Sequence, residues 1–399
     1  MTFRITRREL TRDIGRLIGL ATIGGSPPGR RLFAQSPKPA QVQEPATNGE
    51  PMIVYSREYL TLEMPMSRLT TWITPTESFF VRNNLLMPEF NSSDWSLAVT
   101  GEVQRPLSFT LREFRQLAGA SVTNTMECAG NGRVNFRPRI AGVPWGRGGV
   151  GNAVFEGPRL AEVLRVAGLK PTARHVAFHG LDVVPEGNAA FIRSIPIAKA
   201  LDPNTLLAMR MNGLPLTPEH GFPVRGIVPG WIGSASIKWL QEIRVLPKEF
   251  DGFYMSPGYR RTVTDETAGA DDGRSDRTIA ITSLQVKSVI TQPSDGAVLA
   301  SQTPLTIRGA SWAGESAIAK VEISVNEGRV WHLANLGSDY AKYAWRLWDY
   351  EWRPMRPGPY TILSRATDAA GRSQPMEPRW NPAGYLWNGV DRVHVELRD

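Results

Sequence analysis

The pattern of apolar and polar residues changes near residue 279 and divides the chain into two parts. In the first part, helical and strand patterns are mixed. Thr110 and Glu113 form a capping box at the start of one predicted helix, "TLREFRQLAG", and Pro158 and Gly168 enclose a second, "PRLAEVLRVAG". The runs "HVAFHGLDVV" and "IKWLQEIRVL" have the residue types of strands. The first part is therefore predicted to be an α+β domain.

The second part has the alternation typical of antiparallel β-structure. "AKVEISVNEGRVWHLANL" consists of two alternating runs around Asn-Glu-Gly and predicts a hairpin, while "GPYTILSRATDAAGRSQP" and "DRVHVELRD" predict further strands. Seven of the twelve tryptophans lie between Trp312 and Trp387, a density that suits a packed core together with an aromatic contact surface. These patterns predict an immunoglobulin-like β-sandwich over residues 279–399.

The N-terminal residues have the pattern of an export signal. Arg7 and Arg8 are paired, a mildly apolar stretch follows at 17–23, and the sequence Leu-Phe-Ala-Gln surrounds Ala34. This pattern resembles a twin-arginine signal, which predicts a protein that folds in the cytoplasm and is exported to the periplasm. The alternative is a basic amphipathic helix at the N-terminus.

Five segments are predicted along the chain. They are, in order, a signal peptide at 1–34, a flexible leader at 35–54, the α+β domain at 55–256, a polar and aperiodic linker at 257–278, and the sandwich at 279–399.

Composition and charge exclude several classes of protein. The formal charge is +8, but residues 1–31 hold seven arginines and two acidic residues, so this segment carries +5 and the rest of the chain carries +3. So small an excess does not make a nucleic-acid-binding face, and no nucleic-acid partner is predicted. No apolar run is long enough to span a bilayer, so no integral membrane segment is predicted.

The single cysteine, Cys128, lies in "MECAGNGR". One cysteine excludes an intrachain disulfide framework and all-cysteine zinc or iron–sulfur sites. Three interpretations stay open: a small buried apolar residue, a nucleophile with a histidine partner, and a ligand to a soft metal whose other ligands come from elsewhere.

Other clusters are less specific. His175 and His179 lie on a predicted strand, where residues four apart are distant, so a metal site there is not favoured. "EHGFPVRGIVPGWIGSASIKWL" combines His220, Arg225 and Lys238 with glycines, which suits either a phosphate cradle or a surface loop with scattered charge.

Arg82 follows three apolar residues in "FFVRNN". It is either a surface arginine with a buried stem or a clamp for an oxyanion.

Taken together, "SFFVRNN", "MECAGNGR", "HGLD", "MNGLPLTPEHGFPVRGIVPGWIGSASIKWL" and "VKSVITQP" resemble the sulfite oxidase family of molybdenum enzymes over roughly residues 70–399. The resemblance implies a mixed α+β molybdopterin domain followed by an immunoglobulin-like dimerisation domain. It implies a molybdenum–molybdopterin cofactor with one pyranopterin dithiolene, in which the protein provides one cysteine ligand.

The resemblance also assigns residues. Cys128 is implied to bind molybdenum, and Arg82 and Arg133 to draw an anionic substrate toward the metal. The implied molybdopterin contacts are Phe80, Val81, Arg82, Asn83, Asn84, Asp182, His220, Arg225, Ser236, Ile237 and Lys238.

Three positions depart from the family pattern. Asn84 stands where the family commonly has histidine, and Gly132 replaces one of two paired arginines. Phe250 stands where the family's active-site tyrosine is expected, and Tyr254 or Tyr259 is a candidate substitute. The last departure bears on which sulfur compound is the substrate.

The resemblance implies oxidation of sulfite to sulfate by a homodimer. No haem-attachment sequence Cys-x-x-Cys-His is present, so no haem is predicted in this chain and a separate c-type cytochrome is the expected electron acceptor. The alternatives are oxidation of another sulfur compound and, from a different class, a non-catalytic exported binding protein. A methionine-sulfoxide reductase is less favoured because that branch typically lacks the C-terminal sandwich.

Overall fold

The computed structural model describes residues 38–39, 50–262 and 278–399. The predicted signal peptide and most of the predicted leader lie outside the described residues. In the described part, the α-helices are Leu111–Phe114, Leu160–Ala167 and Ile197–Ala200, and short 3-10 helices are Met66–Arg68, Thr76–Ser78, Ser92–Asp94, Arg133–Asn135, Pro218–His220 and Gly233–Ala235. Strands make up most of the regular structure, so helices are a smaller part of the α+β domain than the sequence pattern indicates.

The first predicted helix is confirmed at its start and wrong in its length. The Thr110 hydroxyl accepts a hydrogen bond from the Glu113 amide, and the Glu113 carboxylate accepts one from the Thr110 amide, which completes the capping box. The helix ends at Phe114 rather than near Gly119, because only Leu111 and Phe114 are buried and short helices depend on tertiary packing.

The second predicted helix is confirmed over Leu160–Ala167 and ends at Gly168, which has φ 71°. Its buried face consists of Leu160, Val163, Leu164, Val166 and Ala167.

The first part of the chain contains one large sheet and several small ones. The five-stranded sheet has the order Ile192–Pro196, His175–Gly180, Leu240–Leu246, Ser96–Gly101 and Leu107–Thr110. A four-stranded sheet has the order Leu214–Pro215, Arg210–Met211, Val150–Gly157 and Ala120–Glu127. Smaller sheets are formed by Ile53–Ser56, Thr61–Glu63 and Val81–Arg82, by Leu206–Ala208 and Arg225–Ile227, and by Lys38–Pro39 and Pro88–Glu89.

Two facing sheets form the second part. One has the order Lys287–Gln292, Leu305–Trp312, Arg346–Trp352 and Asn335–Leu336, and the other has the order Ala297–Ala300, Asp391–Arg398, Gly358–Asp368, Ile318–Ser324 and His332–Leu333. Their inward side chains share one core that includes Ile290, Trp348, Ile323 and Val393. The predicted hairpin is present, since Ile318–Ser324 pairs with His332–Leu333.

The predicted linker is not irregular at its ends. Arg260–Thr262 pairs antiparallel with Thr278–Ala280, and the Arg260 guanidinium donates to the hydroxyl and the carbonyl of Thr278. Residues 263–277 lie outside the described part. The pairing brings the chain back to where it left the first domain, so the linker begins and ends beside the same surface.

The two parts share a second core. It joins Leu62, Val81 and Val150 of the first part to Trp312 and Trp345 of the second. Trp312 and Trp345 are therefore buried against the first domain, whereas Trp348 and Trp352 lie in the core of the second part. Trp380 is 46% exposed. Within the described residues, no helix is long and apolar enough to cross a membrane.

Candidate active site

One pocket collects nearly all the residues that the sequence analysis selected. It lies where the first three-stranded sheet meets the end of Ala120–Glu127 and the loops around Arg225–Ile227. Its empty space, counted out to the open mouth and the solvent there, is about 670 Å³. Its lining includes Phe80, Val81, Arg82, Asn83, Asn84, Cys128, Asp182, His220, Arg225, Ser236, Ile237 and Lys238.

Cys128 is held by a tight loop at the end of strand Ala120–Glu127. Its amide donates to the Gly149 carbonyl at 2.8 Å, and its carbonyl accepts from the Asn131 amide at 2.9 Å. Burial raises the pKa of the Cys128 thiol, while Arg82 and Arg133 act in the opposite direction. A cation bound at the pocket would favour the thiolate further, so the cysteine is suited to be a metal ligand.

Gly132 lies in the loop of residues 128–133, called here the Cys128 loop, at a position that requires glycine. Its φ is 87°, and a Cβ atom there would lie 2.7 Å from the Trp387 ring. Only glycine adopts this conformation without strain and leaves room for the tryptophan. This contact gives a structural reason for the departure from the paired arginines of the family pattern.

Arg82 faces the pocket from strand Val81–Arg82. One guanidinium nitrogen donates to the Asn83 carbonyl, and Nη2 donates to Asn84 Oδ1 at 2.9 Å. The Asn84 amide group in turn donates to the Tyr259 hydroxyl at 3.1 Å. Arg82 is therefore oriented by a chain of hydrogen bonds that ends at a tyrosine of the pocket wall.

Arg133 is the one selected residue that does not line the pocket. Its Nη1 donates to the Val143 carbonyl at 2.9 Å, and its guanidinium lies 5.6 Å from the ring centre of Tyr385. It lies behind the Cys128 loop, where it favours the thiolate through space. In this arrangement it acts on the cysteine more directly than on a ligand in the pocket.

The floor of the pocket is basic. The Arg225 guanidinium donates to the carbonyls of His220, at 2.9 Å, and Ser236, at 3.1 Å. Lys238 Nζ donates to Asn83 Oδ1 and, at 2.8 Å, to the Glu219 carbonyl. No carboxylate forms an ion pair with either cation among the described residues. Arg225 is buried and Lys238 is half-buried. Cations so shielded, with hydrogen bonds only to neutral acceptors, favour the binding of an anionic ligand.

Burial also decides the protonation of the neighbouring groups. Burial, together with the charges of Arg225 and Lys238, lowers the pKa of His220 to about 3, so the imidazole is neutral. Its Nε2 lies 3.1 Å from the Thr76 carbonyl, which can only accept, so Nε2 carries the proton. Burial raises the pKa of Asp182 and lowers that of Lys238, and each charge partly offsets the effect on the other.

Tyrosines and Arg193 form a wall that the sequence analysis identified only in part. Tyr259 lines the pocket and stacks on Tyr385, with ring centres 5.3 Å apart and planes 6° apart. The Arg193 guanidinium lies 4.8 Å from the Tyr259 ring centre, on a side chain that is 2% exposed. Burial raises the pKa of Tyr385 to about 12, so this phenol is neutral. No spacing in the sequence links Arg193 or Tyr385 to the cysteine, which explains why both were missed.

Phe250 does not line the pocket, and its amide donates to the Ser194 hydroxyl. Of the two candidate substitutes, Tyr259 lines the pocket, whereas Tyr254 packs beside it against Phe191 with ring centres 4.6 Å apart.

His175 and His179 do not line the pocket either. His175 contacts Ser194, and His179 contacts Glu242. The described residues contain no cluster of three or more metal-ligating side chains of the His, Cys, Asp and Glu types.

The residues present fit a molybdopterin cofactor. Among the described residues, Asn83 Nδ2, Arg225 Nε and Ser234 Oγ are buried without a hydrogen-bond partner, and all three residues line the pocket. Buried donors of this kind are normally satisfied, so the pocket is suited to a ligand with several acceptor oxygens, such as a phosphate. The pocket offers one thiol, which suits a metal whose remaining ligands come from a cofactor.

Comparison with known proteins agrees with this site. Residues 84–254 match the oxidoreductase molybdopterin binding domain, and residues 278–398 match the Mo-co oxidoreductase dimerisation domain. Mitochondrial sulfite oxidase of Drosophila melanogaster is 34% identical over 410 residues, covering 96% of this chain and 68% of the relative. Mitochondrial sulfite oxidase of Homo sapiens is 36% identical over 362 residues, covering 86% and 65%. The chain thus spans about two thirds of the length of these relatives.

A solved structure extends the comparison to the whole fold. The crystal structure of the sulfane dehydrogenase SoxCD from Paracoccus pantotrophus is similar with a TM-score of 0.72 and 25% sequence identity. The match covers 93% of this chain and 93% of that chain. It therefore includes both parts of the molecule described above.

Proposed function

Because the chain belongs to the sulfite oxidase family of molybdopterin oxidoreductases, we propose that it oxidises sulfite to sulfate and passes the electrons to an external carrier. The observation that carries this proposal is the pocket in which one cysteine and Arg82 face a basic floor. An enzyme for a dianion needs positive charge that is already in place and partly shielded from water.

In this proposal Cys128 holds molybdenum, and the floor holds the anionic part of the pterin. Arg225, Ser236 and Lys238 provide donors there, and the unpartnered atoms Asn83 Nδ2 and Ser234 Oγ add to them. The neutral imidazole of His220 contributes Nδ1 as an acceptor, because its Nε2 proton faces the Thr76 carbonyl. When bound, the cofactor supplies the two-electron redox change. The chain itself binds and orients the substrate.

In this proposal Arg82 binds the substrate. Its planar guanidinium can donate two parallel hydrogen bonds to an oxyanion. Asn84 and Tyr259 fix its direction through contacts of 2.9 and 3.1 Å. Tyr259 and Phe191 also line the pocket.

A second candidate substrate is sulfane sulfur. It is favoured by the likeness to the sulfane dehydrogenase over 93% of both chains.

The remaining parts of the proposal concern the setting of the enzyme. We propose export to the periplasm by the twin-arginine signal at 1–34, a separate c-type cytochrome as acceptor, and no haem in this chain. The match to the dimerisation domain supports a homodimer through the second part, for which an immunoglobulin-like sandwich is proposed.

The test combines metal content with turnover. The wild type and Cys128→Ala are purified from a host that makes molybdopterin, their molybdenum is measured, and ferricyanide reduction is followed with sulfite and with thiosulfate. The proposal expects about one molybdenum per wild-type chain, from the single cysteine ligand, and sulfite turnover that the variant loses. Turnover of thiosulfate alone would move the assignment to sulfane sulfur. A wild type without molybdenum, beside a control enzyme that loads normally, would exclude the enzyme and favour the exported binding protein.

A further inference from the structure

A buried ion pair joins the second part of the chain to the residue just before the metal-binding cysteine. Glu127 ends strand Ala120–Glu127 and is 6% exposed, and Lys287 begins strand Lys287–Gln292 and is 2% exposed. Lys287 Nζ lies 2.5 Å from Glu127 Oε1.

The Glu127 carboxylate is fully satisfied by three donors. Besides Lys287, Asn131 Nδ2 donates to Oε1 at 2.9 Å, and Trp312 Nε1 donates to Oε2 at 2.9 Å. Lys287 and Trp312 are direct cross-strand neighbours in the second part. Two of the three donors therefore come from the other domain, and they reach the carboxylate from adjacent strands of one sheet.

Lys287 is enclosed by aromatic rings. Its Nζ lies 5.8 Å from the ring centre of Trp312 and 5.6 Å from that of Trp387. Trp387 is the ring that Gly132 makes room for in the Cys128 loop. The lysine thus packs on the same tryptophan that packs on the loop, and only 3% of its side-chain surface is exposed.

Hydrogen bonds continue from the ion pair to the cysteine itself. Asn131, which donates to Glu127, accepts from the Gly149 amide at 3.0 Å through its Oδ1. The Gly149 carbonyl accepts from the Cys128 amide at 2.8 Å. A continuous chain of hydrogen bonds therefore runs from Lys287 through Glu127, Asn131 and Gly149 to the backbone of Cys128.

Stability alone is a weak explanation of the pair. Replacing a buried ion pair by apolar residues of similar size is often neutral or stabilising, whereas removing one partner leaves a buried charge uncompensated. Here the uncompensated charge would lie beside the cysteine that binds the metal. Groups that orient a metal ligand and set the charge around it influence both affinity and redox behaviour.

We propose that Lys287, Glu127 and Trp312 form an interdomain clamp through which the second part positions the Cys128 loop and neutralises the charge next to the metal ligand. Lys287 is then a positioning residue of the active site. This inference deepens the proposed function and rests on it for the redox behaviour, whereas the positioning of the loop is a property of the protein chain.

The positioning is tested without cofactor. In cofactor-free Lys287→Met, hydrogen exchange at the amides of residues 128–133 and 149 is expected to accelerate by roughly tenfold, because a hydrogen-bonded charge has lost its partner. The matched control is Lys199→Met. Lys199 is also a buried interdomain lysine, paired with Glu315 at 2.7 Å and packed near the rings of Trp231 and Tyr343, but it does not contact the Cys128 loop. Equal exchange in the two variants would overturn the clamp.

The charge effect is tested on the loaded enzyme by redox titration of the metal. Lys287→Met leaves an extra negative charge beside the ligand and is expected to lower the reduction potential, while Glu127→Gln is expected to raise it. The double variant should return close to the wild type. Metal affinity of either single variant should fall by roughly 10- to 100-fold, as for other partners of metal ligands. Shifts in the same direction, or none, would overturn the proposal.

The outcomes separate the clamp from the proposed function. A wild type without molybdenum contradicts the proposed function, and the exchange experiment still decides the positioning. If Lys287→Met does not fold, Glu127→Gln carries the charge test alone, since its potential must lie above that of the wild type. An unchanged or lower potential in that variant contradicts the clamp.

Discussion

Removing the hydroxyl of Tyr259 is the most direct test of how the pocket orients its substrate. In Tyr259→Phe the ring keeps its stacking on Tyr385, while the hydrogen bond to Asn84 is lost. Asn84 then still accepts the 2.9 Å hydrogen bond from Arg82, but no hydrogen bond to Tyr259 fixes its own orientation. The expected effect is on substrate binding, because Arg82 is the group proposed to bind the anion.

The magnitude follows from the kind of bond that is lost. A hydrogen bond between neutral, half-buried groups contributes about 1 kcal/mol, which corresponds to about fivefold in kcat/KM. If the hydroxyl only orients Asn84 and Arg82, the loss appears as a higher KM for sulfite with little change in kcat. If the hydroxyl instead touches the reacting group, kcat should fall by about a hundredfold or more, as on removal of a donor to a developing charge.

The assay is steady-state reduction of ferricyanide with varied sulfite, corrected for molybdenum content. Tyr254→Phe is the matched control, because Tyr254 packs beside Tyr259 but does not line the pocket. Phe250→Tyr should give no gain for the same reason, since Phe250 lies outside the lining. Unchanged kcat and KM in Tyr259→Phe would refute the orientation of Arg82 through Asn84.

Three further changes test other parts of the site. Arg82→Lys keeps the charge but loses the planar fork, so KM for sulfite should rise by roughly tenfold, and an unchanged KM would remove Arg82 from substrate binding. In the cofactor-free protein His220 binds fewer protons folded than unfolded between its folded pKa of about 3 and its unfolded value of about 6.5. The free energy of unfolding therefore falls as pH drops through that window. Urea unfolding at about pH 6.5 and pH 5 should show a decrease that is about 2 kcal/mol smaller in His220→Gln than in the wild type. Equal decreases in the two proteins would contradict the neutral imidazole. Gly132→Ala should cost about 2 kcal/mol or more in unfolding free energy, from a left-handed φ and the clash with Trp387, whereas Gly187→Ala, at φ 79° with open space around it, should cost less; equal costs would show that the tryptophan contact is unimportant.

Much of the fold could be predicted because the signals are local. The capping box of Thr110 and Glu113 and the glycine after Ala167 fix helix ends within a few residues of chain. The length of the first helix could not be predicted, because it depends on which side chains other elements bury. Likewise, the pairing of Arg260–Thr262 with Thr278–Ala280 joins segments that have no alternating pattern of their own.

The residues of the candidate site also fall into two groups, those that the sequence predicts and those that only the structure reveals. Cys128, Arg82 and the run from His220 to Lys238 stand in distinctive stretches of sequence, and the structure brings them into one pocket. Arg193, Tyr385 and Lys287 stand in ordinary strand or loop sequence, and each reaches the site from far along the chain. A contact between residues about 160 positions apart leaves no periodic trace, so only the tertiary structure reveals it.

These distant contacts change the role of the second part of the chain. A domain that served only to join two subunits would have no reason to bury a lysine against the carboxylate beside the cysteine. Here it provides Lys287 and Trp312 to Glu127, Trp387 to the Cys128 loop, and Tyr385 to the stack on Tyr259. These contacts reach the Cys128 loop and the Tyr259 ring, so movement between the two parts would disturb the proposed metal ligand and the proposed substrate arginine together. The shared core of Leu62, Val150, Trp312 and Trp345 opposes that movement. The rigidity of the interface is therefore part of how the site keeps its positive charges in place before the substrate arrives.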